Sequence, residues 1–413
     1  MKKVIISLLV AGAVAAANAQ DKALLETLVK KGMLTQQEAA QIAKDSVAVT
    51  PATKSTKSIK IFGGAQGWYS WGKNSVKSGS EIFGQQNGFT LRYVKLGIEA
   101  DVGGGWSAEV VTDFGMEGES KNYLDKVVAS KKIDLDYING TLQLGLRKVN
   151  MGYEQNMDDF GQLAVERSVA TYFFTRYDGK NFGSRTVGVF WDGNITQVDG
   201  LYYGAAVTSG VSEGGVDNYI AEAQDSSALS FWANMGYKNV ADVKGETLSY
   251  DIGVNFGYAP QGMNDDIRYT KKGSVWGINP YATLNWRGLT LIGEFFLQQA
   301  EDYTLERNGV GRTPMGANFT AAYKMDIGEW GAIEPVFRGS YVSTNGMGLR
   351  SAYSGNDLEN INQAMTFYGG VNWYATTAVK TSLGYEFAYY DQGDASVERV
   401  YGNTVWAQVQ VLF

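Results

Sequence analysis

The run Leu248-Ser249-Tyr250-Asp251-Ile252-Gly253-Val254-Asn255-Phe256-Gly257-Tyr258 changes character at every residue. Even positions are aliphatic or aromatic and odd positions are small or polar. That period of two belongs to a β-strand whose faces meet different surroundings. The run is longer than the roughly five or six residues of a soluble strand and matches the roughly nine to eleven that a tilted strand needs to cross a bilayer.

The same pattern recurs along the chain. Trp276, Ile278, Ala282, Leu284 and Trp286 alternate with Gly277, Asn279, Thr283 and Asn285. Val379, Thr381, Leu383, Tyr385, Phe387 and Tyr389 alternate with Lys380, Ser382, Gly384, Glu386 and Ala388. A soluble sandwich would alternate too, with its apolar side on a core. Length argues for membrane strands instead, as do the Trp and Tyr residues near the ends of the apolar faces, where girdles stand.

Read in order, the strands fall near 59–71, 90–102, 105–114, 130–138, 140–149, 182–193, 198–209, 227–238, 247–259, 274–286, 288–299, 315–326, 331–343, 364–374, 376–390 and 401–413. Short turns at Gly103-Gly104, Asn139, Arg287, 327–330 and Ala375 alternate with long gaps, the signature of an outer-membrane barrel. The expected fold is all-β: a transmembrane antiparallel barrel of about 16 strands, too wide for side chains to fill. The last strand, 405–413, should pair with 59–71 and close it, because an unpaired edge is a hazard. A final Phe also resembles the signal read by outer-membrane assembly machinery.

The third long gap, 149–181, lacks clean alternation. It carries Met151, Tyr153, Phe160, Leu163, Val165, Tyr172, Phe173, Phe174 and Tyr177 beside Glu154, Asp158, Asp159, Glu166, Arg167, Arg176 and Asp178. A loop so long with apolar surface to bury is neither spacer nor disorder. It is expected to fold inward, and a short helical segment is expected only at the N-terminus.

Composition narrows the function. The chain of 413 residues has neither Cys nor His, so thiol nucleophiles, Ser-His triads, imidazole or thiolate metal sites and disulfides are all excluded. With no substrate pocket implied for Asp134 and Asp136 or any other carboxylate pair, no enzyme and no cofactor are expected. Aromatic residues make up 13%, and 51 Gly against 5 Pro suit long, curved strands.

Lys2 and Lys3 precede an apolar run that ends at Ala17-Asn18-Ala19, so residues 1–19 read as a secretory signal. Its removal takes the formal charge from −7 to −9, which argues against nucleic acid as a partner. Residues 20–58 read as a periplasmic helical segment and linker. Leu24, Leu25, Leu28 and Val29 lie at helical spacing, and Thr35-Gln36-Gln37-Glu38 forms a capping box. The barrel then occupies 59–413.

Several stretches resemble the phosphate-selective porin O and P family: Phe89-Thr-Leu-Arg-Tyr-Val-Lys-Leu-Gly97, Lys148, Glu166-Arg167-Ser168, Gly183-Ser-Arg185, Gly331-Ala-Ile-Glu334 with Arg338, and Asn372-Trp373-Tyr374. The N-terminal Leu-Val-Lys-Lys-Gly-Met-Leu-Thr-Gln-Gln-Glu-Ala run is similar to that family's leader. The resemblance implies a homotrimeric channel in the bacterial outer membrane, surrounded by lipid, in which basic residues draw small anions such as phosphate through a constriction. It departs at Tyr93, Asn150 and Gln408, where the family often carries Arg, Pro and Arg. The N-terminal segment is a candidate for peptidoglycan contact.

By alternation and resemblance together, the pore-lining and constriction candidates are Lys95, Lys132, Arg147, Lys148, Glu166, Arg167, Arg185, Glu294, Glu334, Arg338 and Lys380. Glu334 and Arg338 lie four apart on one strand and so share a face, with cross-strand partners such as Glu294 or Lys324 expected. Two functions fit: a diffusion channel with a modest preference for anions or a more general solute range, and a plugged barrel whose outer loops bind a partner.

Overall fold

The computed structural model describes residues 57–76, 81–115, 124–175, 182–183, 185–209, 229–260, 274–300, 312–345, 361–391 and 399–413. The expected signal and N-terminal helices, and Arg176, Tyr177 and Asp178 of the third loop, lie outside them.

The first half of the wall is β1 (Ser58–Val76), β2 (Glu81–Gly103), β3 (Trp106–Asp113), β4 (Leu124–Asp134), β5 (Ile138–Lys148), β6 (Arg185–Ile195), β7 (Leu201–Thr208) and β8 (Ser230–Val243). The second half is β9 (Glu246–Ala259), β10 (Val275–Trp286), β11 (Leu289–Ala300), β12 (Met315–Tyr323), β14 (Ala332–Ser343), β15 (Gln363–Tyr374), β16 (Val379–Asp391) and β17 (Val400–Leu412). A two-residue strand, β13 (Met325–Asp326), prolongs the edge that β12 shares with β14. Every strand runs antiparallel to its neighbours, and β1 meets β17 from Gly64 opposite Leu412 to Val76 opposite Val400. Gly63 and Phe413 exchange two backbone hydrogen bonds of 3.1 Å at the seam. The sheet is therefore a closed barrel of sixteen spanning strands, with every described edge paired, as lipid demands.

Which face looks out decides the environment. Ile252 and Leu383 are 57% and 62% exposed, while Asn279 and Gln298 are 0% and Arg338 is 1% exposed. This inverts a soluble protein: over most of the wall the apolar face looks outward and the polar face inward. Trp106, Tyr137, Trp286, Tyr323, Trp330 and Trp373 are exposed at the short-turn end and form one girdle.

Some strand bounds differ from the sequence reading. β1 and β2 run on to Val76 and back to Glu81, so most of the expected loop at 72–89 is strand. β4 starts at Leu124, and its turn is 135–137 rather than Asn139, which belongs to β5. Asp136 therefore stands in a turn and not on the lumen wall.

Candidate permeation site

At the end of β5 the chain leaves the wall. Val149 and Met151 are fully buried, and Gly152, with φ of 84°, turns the backbone into α1 (Tyr153–Asn156). A 3-10 turn, Asp159–Gly161, follows, and then α2 (Val169–Thr175), all seven of whose residues are buried. α2 packs on β12, β14 and β15, the wall opposite its own strands. Phe174 stacks on Phe296 at 4.9 Å, and Phe182 leans on Trp232 at 5.0 Å. With Phe190, Val275, Ala300, Val342, Tyr390 and Val400 they form an apolar core inside the barrel, toward the long-gap end. The loop lies in the lumen because its apolar residues have this patch of wall to cover.

Its polar side meets a cluster of charges. Asp159 is ion-paired to Lys95 of β2, to Arg167 of the loop, to Lys148 of β5 at 3.2 Å and to Arg185 of β6 at 3.8 Å. Asp125 of β4 pairs with Lys95 at 3.0 Å and with Arg185. Arg167 also donates to the Tyr93 phenol at 3.0 Å. Two carboxylates thus face four cations. Burial pushes the Asp159 carboxyl up, but Lys148, Arg167, Lys95 and Arg185 together outweigh it and hold it well below the usual carboxylate range.

A group with a depressed folded pKa contributes stability that is complete above its unfolded value, about 3.9, and is lost only as pH falls through the folded one. The near-UV circular dichroism of the loop's aromatic core is therefore expected to stay constant from neutral pH to about pH 4 and to change only below it. A transition beginning near pH 6 would mean that Asp159 is not the tether.

Four further side chains of the wall fix the loop. Glu294 accepts from the amides of Tyr153 (2.8 Å) and Glu154 (3.2 Å), the Thr171 hydroxyl (3.0 Å), Asn318 (2.8 Å) and Asn279 (3.1 Å). Arg338 reaches Glu154 at 3.1 Å and Glu386 at 2.9 Å, and Arg92 reaches Glu166 at 2.7 Å. Lys380 donates to the carbonyls of Phe160 (3.2 Å) and Gln162 (2.9 Å).

The candidates thus separate. Lys95, Lys148, Arg167 and Arg185 come together around Asp159, while Glu166, Glu294, Arg338 and Lys380 hold the loop. Glu334 accepts from Asn372 (3.0 Å) and the Tyr374 phenol (2.6 Å), and Lys324 lies over the Tyr374 ring. Arg147 pairs with Asp192 over the Phe190 ring. Lys132 is exposed toward the short-turn end of β4, seven residues from Asp125.

Alternation missed Arg92 because it sits in a β-bulge, and Asp125 because it falls in the stretch between 114 and 130 that reads as a long gap; Asp125 too sits in a bulge. Pairing steps from Gln66–Tyr93 to Gly67–Leu91 and from Val111–Lys126 to Thr112–Leu124, so one extra residue is left over in each strand. A bulge turns two successive side chains the same way, which puts Arg92 inward beside Tyr93 and Asp125 inward beside Lys126. Asp159 and Glu154 carried no positional signal, since the loop has no period.

Between the loop at Asn156–Phe160 and the wall from β1 to β6 lies a cavity of about 630 Å³, lined by Lys95, Glu109, Asp125, Lys126, Lys148 and Arg185 among others.

No protein-family model matches the sequence, and no curated protein is similar to it. Solved structures are similar in fold. OprB of Pseudomonas putida is 10% identical, with 86% of this chain and 94% of that one covered at a TM-score of 0.59. The outer membrane channel DcaP of Acinetobacter baumannii is 8% identical, covering 87% and 99%, with a TM-score of 0.54. OmpF of Salmonella typhi is 13% identical, covering 85% and 97%, with the same score. At these identities the likeness is one of architecture: this chain has a porin-type barrel.

Proposed function

We propose that this chain is an outer-membrane diffusion channel for small hydrophilic solutes with a modest preference for anions. The observation that carries it is the charge at the neck. Asp125 and Asp159 stand among Lys95, Lys148, Arg167 and Arg185, which leaves two positive charges in excess on a chain that is acidic overall. Beyond about 8 Å exposed charges are screened at physiological salt, so the neck outweighs the total. In a narrow site with low-dielectric walls a few charges also focus the field.

The resemblance to phosphate-selective porins O and P supports the same sign, because Lys95, Lys148, Arg167 and Arg185 all fall in or beside its stretches. It also supports a homotrimer, while the Lys2-Lys3 start, the apolar run and Ala17-Asn18-Ala19 support a signal at 1–19, followed by a periplasmic segment at 20–58 that is a candidate for peptidoglycan contact. The outward apolar band suits lipid as the barrel's surroundings.

In planar bilayers under a KCl gradient, the reversal potential of the wild-type channel is expected on the chloride side. The double variant Lys148→Gln, Arg167→Gln removes the whole excess and should bring it to zero or to the potassium side. A wild-type channel that already prefers potassium would refute the anion assignment and leave a general porin.

One observation favours a second reading, a plugged structural barrel: the apolar core around α2 lies inside the barrel toward the long-gap end. Single-channel conductance of the pure protein separates the two, since a plugged barrel passes no steady current.

A further inference from the structure

A second cavity, of about 820 Å³, opens on the other side of the loop toward the short-turn end, against β6 to β10. Its chemistry differs from that of the charged side. Asn194, Ser249, Thr283 and Asn285 line it with uncharged donors and acceptors, and its charged residues are Asp199, Asp251 and Lys238. With two carboxylates and one ammonium it has no positive excess to hold an anion.

Two of its lining residues, Tyr153 and Asp251, are backed by a pair of tyrosines. Tyr202 of β7 and Tyr281 of β10 point inward, and their phenols hydrogen-bond each other, with Tyr202 also bound to Asp251 at 2.6 Å. Both rings lie against the sheet, because Gly253 beneath them leaves the space a side chain would fill: a Cβ there would stand 2.6 Å from the Tyr281 hydroxyl and 2.8 Å from that of Tyr202. Tyr153, at the first residue of α1, adds a third ring, 4.9 Å from Tyr281 at 36°. Lys238 sits over Tyr202 at 5.5 Å. The rings are thus held in place before any ligand arrives, which lowers the cost of binding.

Locked aromatic faces beside a carboxylate, an ammonium and short hydroxyl and amide side chains fit one kind of solute. It has C–H faces to lie on rings and hydroxyl groups around its edge that both donate and accept. We propose that this face is a binding site for a neutral polyhydroxylated solute, a mono- or disaccharide. Asp251 accepts from its hydroxyls, Lys238 donates to them, and Tyr153 supplies the ring it lies on. The loop therefore divides the lumen into a cation-rich side and an aromatic side without positive excess, and Tyr153 ties the second to the loop's own position.

The test is calorimetric titration of the full-length protein, in a detergent without a sugar head group, with maltose as the probe. Saturable heat is expected with a Kd on the order of millimolar, and Asp251→Asn and Tyr153→Ala should each weaken it about tenfold. Asp251→Asn preserves shape and lies outside the loop, so it remains informative if Tyr153→Ala disturbs α1. Inorganic phosphate should not displace the sugar. No saturable heat, an unchanged Kd in Asp251→Asn, or competition by phosphate would overturn the proposal. Calorimetry needs no conducting pore, so failure of the channel reading would appear separately, as absent conductance.

Discussion

Asp159→Asn is expected to turn a modest anion preference into a strong one. In the native loop this carboxylate is the point on which Lys95, Lys148, Arg167 and Arg185 converge. Asparagine keeps the shape but removes the charge, so the excess at the neck rises from two to three. The four cations around it, short of one counter-charge, then attract a small oxyanion from solution. In a tenfold KCl gradient, where a perfectly selective monovalent channel would read about 59 mV, the reversal potential should move toward that limit by about 10 mV or more. Inorganic phosphate should also begin to block chloride current. Removing one partner of a buried ion pair costs about 3–5 kcal/mol, so the loop should also melt earlier. A folded variant with the wild-type reversal potential and no phosphate block would show that current does not pass this cluster.

How much of this could be read beforehand depends on which residues obey a period. The strand around Leu248–Tyr258 announces both of its faces, because each side chain answers to lipid or to lumen. β10 and β16 do the same, which is why the strand number and the seam at Phe413 follow from the sequence. Charges that sit in phase, such as Lys95, Arg338 and Lys380, could be assigned to the lumen on the same ground. Arg92 could not, since a bulge shifts the phase without changing the residue types around it, and Asp125 could not, since it stands ahead of the run from 130 in which the alternation is read. Nor did the sequence distinguish a residue that lines the path from one that grips the loop. Glu294 and Lys95 are both in-phase charges, and only the course of the loop makes the first an anchor for two backbone amides and the second a member of the charged cluster. The length and oily content of 149–181 told that it folds inward, but not that Asp159 would be its hub.

Deleting Gln155–Thr175, with a short Gly-Ser bridge in its place, is expected to have the largest effect on conductance. It removes the second half of α1, the Asp159 turn and α2, and so joins the two cavities that now lie on either side of the loop. The barrel should survive, because its closure rests on β1 and β17 and no strand pairing passes through the loop. It should be less stable, because Phe296, Phe190 and Val342 lose their cover, and a buried side chain of this kind contributes roughly 1.5–3 kcal/mol. Lower thermal stability with higher conductance is therefore the expected pair of outcomes. Glu294→Ala offers a milder version: it unties the amides of Tyr153 and Glu154 but leaves the apolar face of α2 in place, so its conductance should fall between wild type and deletion. If the deletion variant folds and conducts no better than wild type, the loop does not set the width of the path. If Glu294→Ala conducts like the deletion, the polar anchor and not the aromatic packing holds the loop in the lumen.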